Sequence, residues 1–254
     1  MDSRSAGRAA PANGRCPPRE ISLACRVVTV LGGRYSAELG IDVAAGDAEI
    51  ERWFLAATLF GTRISARIAE RTFRGLAAAG LARVAQVRKV PEDELVGLLD
   101  AGGYARYDFR TAARLLRLSE VVCDRFGGQV ASVSHRGPSY PELHAMLDAL
   151  PGWGDVTVRL FLRELRGVWP GAQPPLDDRA AAAARHLGLL TAGAVLSDLA
   201  GLAKAAGLDL RELESGLVRL ALGHHRAMAS CPGGQACAAL QTARATYEDE
   251  PAHG

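Results

Sequence analysis

Three short stretches carry residue types able to do chemistry. In LPGWGDVTVRLFLREL, residues 150–165, the turn Pro151-Gly152-Trp153-Gly154 separates two amphipathic segments. Glycine admits positive φ and lets another backbone approach closely. Amide N–H groups opening the second segment point outward, and a helix dipole favours an anion there. That is a phosphate cradle that needs no lysine. An αα-hairpin with a glycine turn and no ligand has the same signature. In LDDRAAAAARHLGLL, residues 176–190, Asp177 and Asp178 open an alanine-rich helix. A carboxylate placed there favours its ionised form and can stabilise developing positive charge or help activate water. Aspartate after Pro-Pro is equally what a plain N-cap looks like. Finally, Cys231 and Cys237 in CPGGQAC follow His224 and His225. A His/Cys zinc site is one use of such a set. Its spacing matches no common zinc module, so the favoured reading is ordinary cysteines and no metal.

The elements that must position these residues are almost all helices. Residues 51–80 read as two helices broken near Gly61, and EDELVGLLDAGG ends on glycines, a normal helix stop. Residues 110–128 show 3.6-residue apolar spacing. Leu143, Met146, Leu147 and Leu150 fall on one helix face, and Val158, Phe161, Leu162 and Leu165 repeat the pattern after the turn. Trp153 is expected to pack between those two helices. VASVSHRGPSYPE reads as a polar loop and VWPGAQPP, residues 168–175, as a stiff connector. Further helices are expected around 176–188, 192–206 and 209–223. No strand alternation is convincing, so the fold class is all-α.

Bulk properties exclude several classes. The 254 residues are 48% hydrophobic and 23% charged, ordinary values for a globular chain. Net charge is only +2, which by itself points to no nucleic acid, yet a bland total can hide a basic face. Only Lys89 and Lys204 among the 30 basic residues are lysines. Five scattered cysteines argue against a disulfide framework and for a reducing compartment. The first twenty residues lack an apolar signal core and read as a disordered arm. No apolar run reaches the length of a membrane span. The expectation is a cytoplasmic protein, nucleoid-associated in a bacterium, with no membrane partner.

LPGWGDVT followed by an apolar helix resembles the helix-hairpin-helix of the endonuclease III superfamily of DNA glycosylases, whose pattern is LPGVGxKTA. LDDRAAAAARHLGL lies over the family's VDTHVxRVxxRLGL without a gap, matching at Leu176, Asp177, Leu187, Gly188 and Leu189. Upstream, LAATLFGTRISARIAERTF and GGYARYDFRTAARLL resemble the early helix pair and the loop-helix of that family. The resemblance runs from about residue 51 to 188. It implies two helical lobes around a DNA-binding cleft: a barrel at 41–168, with the hairpin at 142–166, and a second lobe from 21–40 plus 169–240. Residues 241–254 would be a flexible tail. It implies damaged duplex DNA as partner, a flipped-out nucleotide, and a monomer. Asp177, with Asp178 as fallback, would stabilise the oxocarbenium-like sugar and help activate water.

Further DNA contacts implied by the family come from Pro151, Gly152, Trp153, Gly154 and Thr157, and from wedge residues in two loops. Those loops offer Phe60, and Tyr104, Arg106 and Tyr107. Phe60 also fits a core position at a helix end, and Tyr104 a half-buried loop anchor. Arg63, Arg67, Arg71 and Arg74 suit either phosphate or a solvated face.

The chain departs from the family pattern in informative places. The nucleophilic lysine of bifunctional members is replaced by Val156, so a Schiff-base lyase step is not expected. Arg179 stands where the family has histidine. Asp155 puts an acid beside the cradle and would weaken it unless turned away. The [4Fe–4S] cluster of many members needs four cysteines spaced by six, two and five residues. Cys231 and Cys237 fit the last pair, but Ala221 and Met228 occupy the first two places, so no cofactor is expected. The expected function is a monofunctional glycosylase. The alternatives are a non-catalytic DNA-binding descendant and a protein-interaction scaffold.

Overall fold

The computed structural model describes residues 19–62, 64–104 and 108–241. Every regular element among them is helical. The helices are α1 (Arg19–Leu31), α2 (Tyr35–Glu38), α3 (Asp47–Phe60), α4 (Ala66–Ala78), α5 (Val84–Val87), α6 (Glu92–Gly102), α7 (Asp108–Phe126), α8 (Val133–Arg136), α9 (Tyr140–Asp148), α10 (Asp155–Glu164), α11 (Asp178–Leu187), α12 (Leu196–Ala205), α13 (Leu210–His224) and α14 (Ala238–Gln241). Among the described residues no helix is long and apolar enough to cross a membrane.

The apolar residues sort into two cores. The first runs from Tyr35 to Ala172 and centres on α3, whose Trp53, Phe54, Leu55 and Leu59 are fully buried. The second joins Leu23, Ala24 and Val27 of α1 to residues from Leu176 to Leu240. The chain therefore crosses from one core to the other between Ala172 and Leu176. The sequence assigns residues 35–40 to the second lobe and ends the first at 168. Tyr35 and Leu39 pack instead into the first core, as do Trp169 and Ala172. The expected arm also ends sooner, because Arg19 and Glu20 already belong to α1.

Between the cores lies a layer of buried charge. Glu164, at the end of α10, accepts hydrogen bonds from Arg34 Nε (2.9 Å), the Tyr35 amide (3.1 Å) and Ser36 Oγ (2.7 Å). Arg211 of α13 donates to the Glu164 carbonyl at 3.1 Å. Arg166 pairs with Glu214 of α13 and donates to the Pro174 carbonyl at 2.7 Å. Burying such groups is tolerable only because each is paired. Arg219 of α13 adds a bond to Glu38 (2.6 Å) and lies 4.0 Å over the Tyr35 ring.

The polar loop expected at 130–142 is largely helical. A 3₁₀ turn, Val130–Ser132, leads into α8, and Val130 and Val133 are buried. The buried Glu51 carboxyl on α3 accepts from the Ala131 amide at 2.9 Å and so fixes this turn to the first core. Ser139 and Glu142 then cap α9, with Pro141 in its first turn.

Candidate functional site

The helical hairpin is built from the first core outward. Leu143, Leu147 and Leu150 of the α9 side, and Val158, Phe161, Leu162 and Leu165 of the α10 side, are buried. Trp153 does not sit between these two helices alone. It stacks on Phe54 of α3, with centroids 4.4 Å apart, and its Nε1 donates to Thr58 Oγ1 at 3.1 Å. The turn is thus bolted to the core by its own tryptophan, which leaves only the Trp153 backbone available to a ligand. Thr157 is likewise buried, and its side chain abuts Gly61, where a Cβ has no room. Gly152 takes φ +81° against the aliphatic stem of Arg114, and Gly154 opens α10 with nothing within 4 Å of where a Cβ would stand.

Asp155, in the first turn of α10, is tied to side chains of both hairpin helices. Its Oδ1 accepts from His144 Nε2 and Arg159 Nε, both at 2.9 Å. These two bonds, His144 first, hold its carboxyl below the usual range. The acid is therefore engaged along the hairpin's flank, by His144 of α9 and Arg159 of α10. Val156, in the first turn of α10, is 55% exposed.

A cavity of about 460 Å³ lies beside the hairpin, lined by Gly61, Thr62, Tyr104, Arg110, Thr111 and Arg114, with Ile64. Two guanidinium groups on one wall suit a phosphate-bearing ligand. Tyr104 corrects the wedge assignment. Its ring is only 2% exposed, and its hydroxyl meets Thr62 Oγ1 (3.1 Å) and the Leu59 carbonyl (3.3 Å). It is a wall of the cavity and cannot enter a base stack. Burial also pushes the phenol up to about 12. Phe60 packs edge-on to Tyr35 at 5.2 Å and against Trp53, a half-buried core position. Arg106, Tyr107 and Arg63 lie outside the described residues. Arg71 and Arg74 are engaged locally, with the Gly102 carbonyl (2.7 Å) and with Glu70 and the Glu38 carbonyl. Phe109, in the first turn of α7 beside Arg110, is 66% exposed. Sequence reasoning assigned it no role, because an apolar residue in an amphipathic helix reads as core.

Asp177 is the N-cap of α11. Its Oδ1 accepts from the amides of Arg179 (2.8 Å) and Ala180 (3.4 Å). The residue is half-buried, Asp178 is exposed, and neither lines the cavity. The Asp177 amide donates to Glu214 Oε1 at 3.1 Å, while the other Glu214 oxygen pairs with Arg166. Glu214 was invisible to motif reasoning: nothing in RELESGLVRL marks one acid as buried.

At the far end of the second core, His186, His224, Cys231 and Cys237 bring one ligand atom each within 4.8 Å of one another. The sequence paired the cysteines with His224 and His225. The structure supplies His186, from the last turn of α11, and the His225 side chain lies outside the described residues. No local spacing reveals His186, since only the packing of α11 on α13 brings it near. Cys231 and Cys237 are free thiols. The amides of Gly233 and Ala238 hold the Cys231 thiol below its ordinary range, whereas burial raises that of Cys237.

Compared with protein-family models and with curated proteins, the chain matches none.

Proposed function

We propose that the chain is a monofunctional DNA glycosylase: it grips duplex DNA with the 150–157 hairpin and uses Asp177 to hydrolyse the N-glycosidic bond of a damaged or mismatched base. The observation that carries this is the place of Asp177. It opens α11 where the chain passes from one core to the other, half-exposed, with its amide held by Glu214. Only Oδ1 receives the cap bonds. In the proposed step the C1′–N bond breaks, the leaving base gains a proton, and a water oxygen bonds to C1′. The ionised carboxylate stabilises the positive charge built on the sugar and takes or relays the water's proton. Val156 offers no amine at the hairpin, and the two lysines lie elsewhere, Lys89 between α5 and α6 and Lys204 in α12. Hydrolysis without strand cleavage is the chemistry these residues allow.

The test is a panel of labelled duplexes with damaged and mismatched bases, read with and without hot alkali. Asp177→Asn is the right control, because asparagine caps a helix about as well as aspartate while removing the charge. Alkali-dependent breaks that vanish in the variant support the proposal. Breaks without alkali would point to an amine route.

One observation favours a second reading, a DNA-binding protein without catalysis: Asp177 already serves as a cap and lines no cavity. Tight, salt-sensitive duplex binding with no breaks on any substrate would select it.

A further inference from the structure

We infer that His186, His224, Cys231 and Cys237 form a closed site for a single tetrahedral divalent ion of the zinc class. The inference is independent of the DNA reading. Two imidazoles and two thiols converge, with all four ligand atoms within 4.8 Å of one another. Bond lengths of about 2.0 Å for Zn–N and 2.3 Å for Zn–S require ligand separations of roughly 3.3–3.8 Å in a tetrahedron. The set therefore needs to contract by only about 1 Å to hold the ion. One edge, His224 Nε2 to Cys237 Sγ at 2.9 Å, would instead open by roughly 0.6 Å.

The surroundings are those of a binding site. His224 and Cys237 are buried, and the two imidazole rings meet edge to face, with centroids 5.1 Å apart. His186 Nε2 is buried with no hydrogen-bond partner, a cost that a metal or a donor to it would remove. The Ala238 amide donates to Cys231 Sγ at 3.4 Å, the kind of outer contact that supports a thiolate ligand. Gly233, at φ +69°, lets the CPGGQAC turn close: a Cβ there would strike the His186 carbonyl and approach its ring to 3.3 Å.

A [4Fe–4S] cubane does not fit this donor set. It is normally held by four thiolates, and its ligands radiate from a body of eight atoms, so they stand much farther apart than these do. Two sulfurs with two nitrogens instead select a mononuclear tetrahedral ion. With four protein ligands and no open position, its role is structural.

The fold supplies a reason for such a staple. Residues 225–241 make two 3₁₀ turns and the four-residue α14, too little to fold alone. Leu240 and an Arg26 bond to its carbonyl (2.9 Å) hold one end. An ion would pin the other end to the last turns of α11 and α13.

The test uses the full chain purified under reducing conditions without chelator. Elemental analysis should find about one zinc per chain, and cobalt substitution should give the visible bands of a tetrahedral thiolate site. Cys231→Ser and His186→Ala should each drop the metal content at least fivefold, and Cys123→Ser, outside the site, should leave it unchanged. Chelation should lower the Tm by more than about 5 °C in the parent chain and by little in Cys231→Ser. Iron with acid-labile sulfide and a brown colour would overturn the inference. So would metal content that survives in both site variants, or a metal-free protein with a Cys231–Cys237 disulfide or with both thiols free.

Discussion

Glu51 should make the protein less stable as the pH rises from weakly acidic to neutral. Its carboxyl is buried in the first core, and burial raises it from its ordinary 4.5 to about 7, against the lowering effect of the Ala131 and Val130 amides. The folded chain therefore holds a proton that the unfolded chain has lost between those two values. Stability must fall across that window and stay lowered above pH 7. A gap of about 2.5 pH units at roughly 1.4 kcal/mol each gives about 3 kcal/mol. Glu51→Gln removes the titration yet keeps an oxygen for the Ala131 amide. Oε2, which has no hydrogen-bond partner, becomes an amide nitrogen in no better position than the protonated acid. The variant should match the parent near pH 4.5 and exceed it by about 3 kcal/mol at pH 8, a Tm gain of roughly 6–12 °C. Urea melts of both proteins at four pH values from 4.5 to 8.5 test this, because the difference between them cancels every other titration. A stability difference that does not change with pH would refute the argument.

Three further outcomes are expected. Glu214→Ala should cost about 3–5 kcal/mol in urea melts, since it strands Arg166 between the cores, whereas Arg166→Met with Glu214→Leu should cost clearly less. Gly152→Val should lower stability by about 1–3 kcal/mol, because φ +81° and the Arg114 stem both oppose a branched side chain, and it should weaken duplex binding in fluorescence anisotropy. Phe109→Ala should weaken duplex binding by about 1–3 kcal/mol under the proposed function, with the exposed ring stacking on a base, and unchanged anisotropy would refute that contact.

Helix positions were legible wherever a face repeats. Leu143, Leu147 and Leu150, then Val158, Phe161 and Leu165, announce both hairpin helices, and the break at Gly61 marks the gap between α3 and α4. The 130–142 stretch was not legible, because α8 is one turn long and its order comes from Glu51, a residue eighty positions away. Trp153 reads as a partner of its own hairpin, and it does pack edge-on to Phe161 of α10, but sequence shows neighbours along the chain and not Phe54 stacked across it. Of the candidate sites, Asp177 was visible as a cap and Cys231 with Cys237 as a pair. Glu214 and His186 were not, since their significance lies in what α13 and α11 bring beside them. Tyr104 and Asp155 each allow two readings in sequence, because what decides between them is tertiary: burial for the first, and bonds to His144 and Arg159 for the second.

The charged layer between the two cores has a geometric consequence. Apolar surfaces slide over one another at little cost, but hydrogen bonds fix angles. From the end of α10, Arg166 reaches Glu214, and Glu214 reaches the amide of Asp177. The hairpin and the aspartate are thereby connected by a short rod of directional bonds that spans the lobe boundary. Under the proposed function, a backbone seated on the hairpin would meet Asp177 at an angle that these bonds set, whatever sequence it carried. The link acts as a gauge between the two cores: its length and direction are fixed by Arg166, Glu214 and the Asp177 amide rather than by apolar contact.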